Sequence, residues 1–390
     1  MAAITATGIG VHPTNPFQAN AFAADASPVD ELKIIAPFHG AVLNGRHGQK
    51  VDGGLKIAVQ GTASPGVAVT VNGVAARRDG SKFFADIVLR KKETEIVAKA
   101  DASGSGRESR VRVVWDRNSY PRYRFTIDDN GFFFRDIVQK GYTSLFDCFY
   151  LAMLRDLNKR YGAKFSLNIF YALADGFTLK SFPDRYRSEW RDNASWLKLA
   201  FHADKEDPPE PYFNATPERL GHDFDMVAEQ IRRFAGEDTY APATVIHFGQ
   251  VRPDAYKTLA ARGVRALSGY FSKNGDHWWV NYRMDDRRSQ FLSNHDALMD
   301  FDSGITFSRI DIVCNSVPLA QIVPTLEKVV ANPDTAEILD LLTHEQYFWP
   351  FYHNYLPDHA KRIEAAIRFA TERGYKPVFL HDGFLGVPEA

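Results

Sequence analysis

Two adjacent carboxylates, Asp128 and Asp129, stand directly behind the run Arg124-Phe125-Thr126-Ile127 and ahead of Asn130-Gly131. Neighbouring carboxylates repel unless a cation divides their tasks, one binding the metal while the other takes a proton from water. A lone Asp here would read as a loop or helix cap; the second acidic residue weakens that reading. Further on, Phe201-His202-Ala203-Asp204-Lys205-Glu206 sets a His and a Glu four positions apart. On a helical turn these share a face, so His202 and Glu206 are expected to chelate one ion. His344-Glu345 follow the apolar run 338–342, and an imidazole titrating near its ordinary value of about 6.5 suits protonation of a leaving group. His247, in Val245-Ile246-His247-Phe248, is read as lining a pocket or orienting a carboxylate. Asp204, Glu345, Tyr212 and Trp349 join it as candidate substrate contacts. Other aromatics nearby, Phe132, Phe133, Phe134, Trp278, Trp279 and Tyr347, suit stacking on sugar rings, although core packing accounts for many of them.

Such groups act together only if the fold gathers them. After Pro121, strand-like segments (123–127, 164–170, 197–202, 244–248, 266–270, 310–314, 338–343 and 376–380) alternate with amphipathic helical patterns at 145–161, 216–234, 253–262, 319–331 and 357–373. Strand, helix, strand repeated this often implies a largely parallel sheet closing into a (β/α) barrel, whose reactive groups sit at the C-terminal ends of strands. Asp128-Asp129, His202, His247 and His344 each end one of these segments. Between 32 and 115, short runs separated by Gly53-Gly54, Ser64-Pro65-Gly66, Asn72-Gly73 and Asp79-Gly80 predict a small antiparallel sandwich of immunoglobulin type. The expected organisation is a flexible leader at 1–30, the sandwich at 31–117 and the barrel at 118–390.

Bulk composition narrows the partners. Lys plus Arg (47) nearly equals Asp plus Glu (48), so no global field favours nucleic acid or an anionic membrane surface. Cys148 and Cys314 are too few for a disulfide framework and sit in apolar runs, reading as two buried free thiols. Ala21-Phe22-Ala23 resembles a signal cleavage site, yet no Lys or Arg precedes it and Pro13, Asn15, Pro16 and Asn20 interrupt the required apolar stretch. A cytoplasmic location is therefore expected over export. No apolar run reaches the roughly eighteen residues a membrane span needs.

Thr126-Ile127-Asp128-Asp129-Asn130 resembles the Thr-Phe-Asp-Asp-Gly signature of the polysaccharide deacetylase, or NodB-homology, superfamily, and His202 and His344 follow in that family's order. The resemblance spans roughly 122–380. It implies a distorted barrel with Asp128 as base, Asp129 and His202 as ligands of one divalent metal, and His344 as acid. Glu206 stands where the family has its second metal-binding His, Asn130 replaces the final Gly, and no Arg-containing third motif is evident. The implied ligand set is then Asp129, His202 and Glu206, which zinc accepts and which also suits manganese or iron. The expected function is removal of an acyl group, acetyl foremost, from an oligo- or polysaccharide, with the oxyanion held by the metal and a backbone N–H near Asn130. Two alternatives stand beside it. Glu206 and Glu345 add carboxylates that suit a metal-dependent glycoside hydrolase or sugar isomerase, and a non-catalytic carbohydrate-binding protein needs no turnover at all.

Overall fold

The computed structural model describes residues 32–101, 106–383 and 385–386, and the expected leader lies outside them. The described chain is a mixed α/β structure with several sheets. Its first part builds two five-stranded sheets. One orders Lys33–Ala36, Gly54–Thr62, Lys82–Leu89 and Arg77–Asp79, with Gln49–Val51 also on Gly54–Thr62; the other orders Val42–Leu43, Arg107–Trp115, Glu93–Asp101, Ala68–Val71 and Val74–Ala75. Strict alternation makes this possible: Lys82–Leu89 buries Phe83, Ala85, Ile87 and Leu89 and turns the residues between them outward. These meet Ile96, Ala98, Val111 and Val113 of the other sheet in one apolar core. Asn72-Gly73 makes a hairpin turn with both residues at positive φ, 46° and 83°, which Asn and Gly tolerate.

The site-bearing part contains the strands β1 (Arg122–Asn130), β2 (Phe165–Phe170), β3 (Leu197–Ala203), β4 (Ala266–Gly269), β5 (Ala297–Asp300), β6 (Ile305–Arg309), β7 (Ile312–Val313), β8 (Ile338–His344) and β9 (Lys376–Pro377). Its longer helices are α1 (Phe132–Lys140), α2 (Phe149–Tyr161), α3 (Pro217–Phe234), α4 (Leu319–Ala331) and α5 (His359–Glu372). Five strands form a parallel sheet ordered β3-β2-β1-β8-β7, with β9 pairing the start of β1. Each strand's odd and even residues part company. Tyr123, Phe125 and Ile127 of β1, with Leu167 and Ile169 of β2, join the large core shared with the helices. The alternate positions are polar and equally buried: Arg124, Thr126 and Asp128 of β1, Ser166 and Asn168 of β2, His202 of β3, and Asp340 of β8. A sheet with helices on one face and buried polar groups on the other encloses those groups.

The eight expected strands do not form one regular sheet. Residues 244–248 are not a strand; Ser268 N–H donates to Thr244 O (2.8 Å), Ala241 N–H to Leu199 O (2.9 Å), and the chain then turns at His247–Gly249 with Phe248 at φ 59°. β4 and β6 pair in parallel, and β5 adds an antiparallel strand where none was expected. Beyond Ile310 N–H, which donates to Gly269 O (2.8 Å), the same chain passes to β8 through Asp311 N–H and Asp340 O (2.9 Å). Helix periodicity was easier to read: α2, α3, α4 and α5 fall inside the expected segments. Thr216 caps α3 through Arg219 N–H and Pro217 fills its first turn, while Leu220, Phe224, Val227, Ile231 and Phe234 form the buried stripe. Cys148 and Cys314 are buried and free, as expected. Among the described residues, no helix is long and apolar enough to cross a membrane.

Candidate metal centre

In a regular strand Asp128 and Asp129 would point to opposite faces. The β1/β2 register instead shifts between Ile127 and Asn130, and Asp129 takes a left-handed backbone with φ 60°. This bulge turns the second carboxylate toward the enclosed face that already holds the first. Asp129 Oδ1 lies 3.0 Å from His202 Nε2 and 3.2 Å from His247 Nδ1, and those two ring nitrogens are 3.0 Å apart. Among the described residues, Asp129, His202 and His247 form a group of three whose donor atoms all fall within 4.8 Å of one another.

The hydrogen-bond chemistry of this triangle asks for a cation. His202 Nδ1–H donates to Val245 O at 2.8 Å, so in the neutral ring Nε2 carries a lone pair, aimed at a carboxylate oxygen. Burial lowers the His202 pKa and favours that neutral ring. His247 Nε2 is buried with no hydrogen-bond partner. Burial pushes the Asp129 carboxyl up, but its contacts with His202 and His247 and the charge of His247 and His344 hold it well below the usual carboxylate range. Ligand atoms around a tetrahedral ion with bonds of roughly 2.0–2.1 Å sit about 3.3 Å apart, close to the triangle's edges. One carboxylate and two imidazoles therefore fit a divalent metal, with the backbone carbonyl of Val245 orienting His202 from behind.

Asp128 is positioned beside this cluster by a residue that sequence reasoning missed. Asn168 Nδ2 donates to Asp128 Oδ1 at 2.6 Å, while Asn168 Oδ1 accepts from Thr244 Oγ1 at 2.7 Å. The signal was present as a polar side chain between Leu167 and Ile169 of a buried strand. Burial raises the Asp128 carboxyl well above its usual range, against the Asn168 hydrogen bond and with help from the Asp129 charge. His344 lies directly opposite Asp128 in the β1/β8 register. Its Nδ1–H donates to Asn315 Oδ1 at 2.9 Å, leaving Nε2 as the free nitrogen, and burial lowers its pKa against the pull of Asp129.

The other expected residues are placed differently. His202 lies within β3 and Glu206 in the exposed loop after it, so the helical turn meant to pair them does not form. Glu206 is not in the group of three; burial and the Asp129 charge raise its carboxyl, and it accepts from Gln346 Nε2 at 3.5 Å. Glu345 is wholly buried and accepts from the N–H groups of Gly131, Phe132 and Phe133 at 2.6, 2.9 and 2.6 Å and from Trp349 Nε1 at 3.0 Å. It caps α1 from the turn that follows β8, which engages those N–H groups after Asn130, and Trp349 is buried with its Nε1 on the same carboxylate. Burial pushes the Glu345 carboxyl up to about 7 and these donors oppose the shift. Tyr212 is buried and donates to Asp223 at 3.2 Å, and Asp204 faces Arg219 at 3.6 Å. Phe133 and Phe134 are core residues, whereas Phe132, Trp278 and Tyr347 are half-buried and Trp279 is exposed.

No protein-family profile matches the chain, and no curated protein does. Solved structures give distant likenesses. A family 4 acetyl xylan esterase from Clostridium thermocellum, solved with a cobalt ion, aligns at 14% identity and a TM-score of 0.35, covering 68% of this chain and 92% of that one. A putative α-galactosidase from Bacteroides fragilis aligns at 11% identity and a TM-score of 0.27, covering 88% and 80%. The chitinase ChiW from a Paenibacillus species aligns at 9% identity and a TM-score of 0.30, covering 90% of this chain and 43% of that one. Likenesses this distant carry no argument about chemistry, which rests on the residues themselves.

Proposed function

We propose that this protein is a metal-dependent hydrolase that removes an acyl group, acetyl foremost, from a carbohydrate. The observation that carries this reading is the convergence of Asp129 Oδ1, His202 Nε2 and His247 Nδ1 beside Asp128 and His344. We read residues 31–117 as an immunoglobulin-like sandwich and 118–390 as a distorted barrel of NodB type, the latter supported by the backbone hydrogen bonds that link β3 through 239–244 to β4 and onward to β8.

Asp129, His202 and His247 are the residues that would hold the ion, zinc foremost. When bound there, a divalent cation supplies Lewis-acid polarisation of the acyl oxygen and greater acidity of water. Asp128, whose raised pKa makes it a stronger base than an ordinary carboxylate, accepts the proton of the attacking water. Asn168 holds that carboxylate in place. His344, fixed through Nδ1–H by Asn315 and opposite Asp128 across the β1/β8 pair, first receives at Nε2 the proton that Asp128 took from water and then passes it to the departing amine or alkoxide. A glycosidase built on Glu206 and Glu345 is not favoured, because Glu345 is committed to four N–H donors.

Incubating the zinc-loaded protein with N-acetylated chito-oligosaccharides and O-acetylated xylo-oligosaccharides tests the reading. Acetate release is expected from one of them, slowed by a factor of about 10² or more in Asp128→Asn with metal content unchanged. Reducing sugar without acetate, or undiminished acetate release by Asp128→Asn, overturns it.

A further inference from the structure

The two histidines of the donor triangle are aimed in different ways. His202 is fixed through its own ring, with Nδ1–H on Val245 O at 2.8 Å. His247 Nε2 is buried with no hydrogen-bond partner among the described residues, and its ring packs on Phe170 and Phe248 at 4.9 and 4.5 Å between centroids. Apolar rings do not tell one imidazole nitrogen from the other, so the direction of Nδ1 must come from the backbone that carries it. That backbone is a tight turn in which Phe248 and Gly249 both have positive φ, 59° and 55°.

Tyr282 grips this turn on both sides of His247. It is wholly buried, its N–H donates to Gly249 O at 2.6 Å, and its hydroxyl donates to Ser268 O of β4 at 2.7 Å while accepting a longer bond from Ile246 N–H at 3.4 Å. The Tyr256 hydroxyl in turn donates to Tyr282 O. The chain arrives there from the hairpin of 272–274 and 277–279, with Val280, Tyr282 and Arg283 at φ 50°, 54° and 54°. Left-handed backbone at non-glycine residues is costly and persists where the surroundings over-determine it. Gly249 permits the close approach, since a Cβ there would fall 2.4 Å from Val280 Cγ1 and 3.1 Å from Val280 Cα. We propose that Tyr282 is the positioning residue of the metal centre: by holding residues 246–249 against β4 it directs His247 Nδ1 to the point shared with Asp129 and His202. The proposal rests on the reading of those three residues as metal ligands and not on the acyl chemistry.

Tyr282→Phe removes the hydroxyl and keeps the backbone N–H and the ring, which packs 5.3 Å from Phe307. Zinc affinity, measured by competition with a zinc-binding dye, should weaken about tenfold, and the visible spectrum of the cobalt-loaded protein should shift. In a His247→Ala background the same substitution should cost no further zinc affinity, a coupling that a merely structural tyrosine would not show. Gly249→Ala, which leaves the hydroxyl intact and pushes the turn off Val280, should weaken zinc in the same His247-dependent way and carries the test if Tyr282→Phe does not fold; melting curves check both. Unchanged zinc affinity and cobalt spectrum, or a loss of zinc that persists in full without His247, overturns the proposal. If Asp129→Ala binds zinc like the parent, the metal centre falls and the proposal with it. If Asp129→Ala and His247→Ala lose zinc while Tyr282→Phe keeps it, the positioning role fails alone. If Tyr282→Phe weakens zinc through His247 while no acetate is released from any substrate, the hydrolase reading fails alone.

Discussion

At the scale of single residues, the decisive contact is one between acceptors. His202 Nε2 and Asp129 Oδ1 are 3.0 Å apart, and the other ring nitrogen of His202 is engaged by Val245 O. Two lone pairs at that distance repel unless a proton or a metal lies between them. Burial disfavours the protonated ring, which leaves the metal as the better partner. The ligand set then divides two positions that look alike in the sequence. In the proposed set His247, which the sequence reads as pocket lining, contributes Nδ1, while Glu206, which the sequence reads as a ligand, lies outside the group of three. Metal analysis after exhaustive dialysis distinguishes them: Asp129→Ala and His247→Ala should each lose at least about tenfold in zinc affinity, and Glu206→Gln should retain the ion. Loss of zinc from Glu206→Gln with retention in His247→Ala would restore the original set.

At the scale of elements, the end of β8 and the start of α5 hold the strand that carries His344. His359, the first residue of α5, is buried, lies 2.6 Å from Thr343 Oγ1 and stacks on Phe348 at 3.9 Å between centroids. Burial pushes its pKa down to about 3. The unfolded chain therefore binds the His359 proton near the ordinary value of about 6.5 while the folded chain refuses it, so this contribution is complete above pH 6.5 and is lost as pH falls. Between pH 7 and pH 5 the loss amounts to about 2 kcal/mol. Denaturant unfolding at the two pH values should show His359→Gln losing less stability than the parent by about that amount; equal losses would mean that His359 is not the titrating group. The bulge at Asp129 works at the same scale. A single left-handed residue changes which face the carboxylate occupies, shifting the register with β2 while the pairing with β8 stays regular up to Asp128.

At the scale of the whole molecule, the N-terminal sheets rest on the parallel-sheet part through a small set of contacts. Phe38 stacks on Phe291 at 4.7 Å, Arg46 pairs with Glu337 at 2.5 Å, and Met299 N–H donates to Gly40 O at 2.8 Å. Phe291 packs against both apolar cores. Phe291→Ala should therefore cost about 2 kcal/mol, less than a fully buried Phe, and thermal melting should show one part of the chain unfolding before the other. A melting curve unchanged from the parent would mean that the two parts are held together elsewhere.

Much of the local structure was legible in the residues themselves. Alternation announced the sheets at the N-terminus, 3.6-residue periodicity announced α2 to α5, and apolar runs ending in Asp128-Asp129, His202 and His344 announced where ionisable groups leave their strands. These are local properties, set by which face each side chain presents to its neighbours. What only the tertiary structure decided is which of those groups meet. Asp129 and His202 are 73 positions apart and His202 and His247 are 45, so their approach depends on how β1, β3 and the 244–249 turn are packed. The same packing withdrew Glu345 into the cap of α1 and brought Asn168 to Asp128. Spacing along the chain carries no information on such distances, because they are fixed by the register between strands and by one bulge.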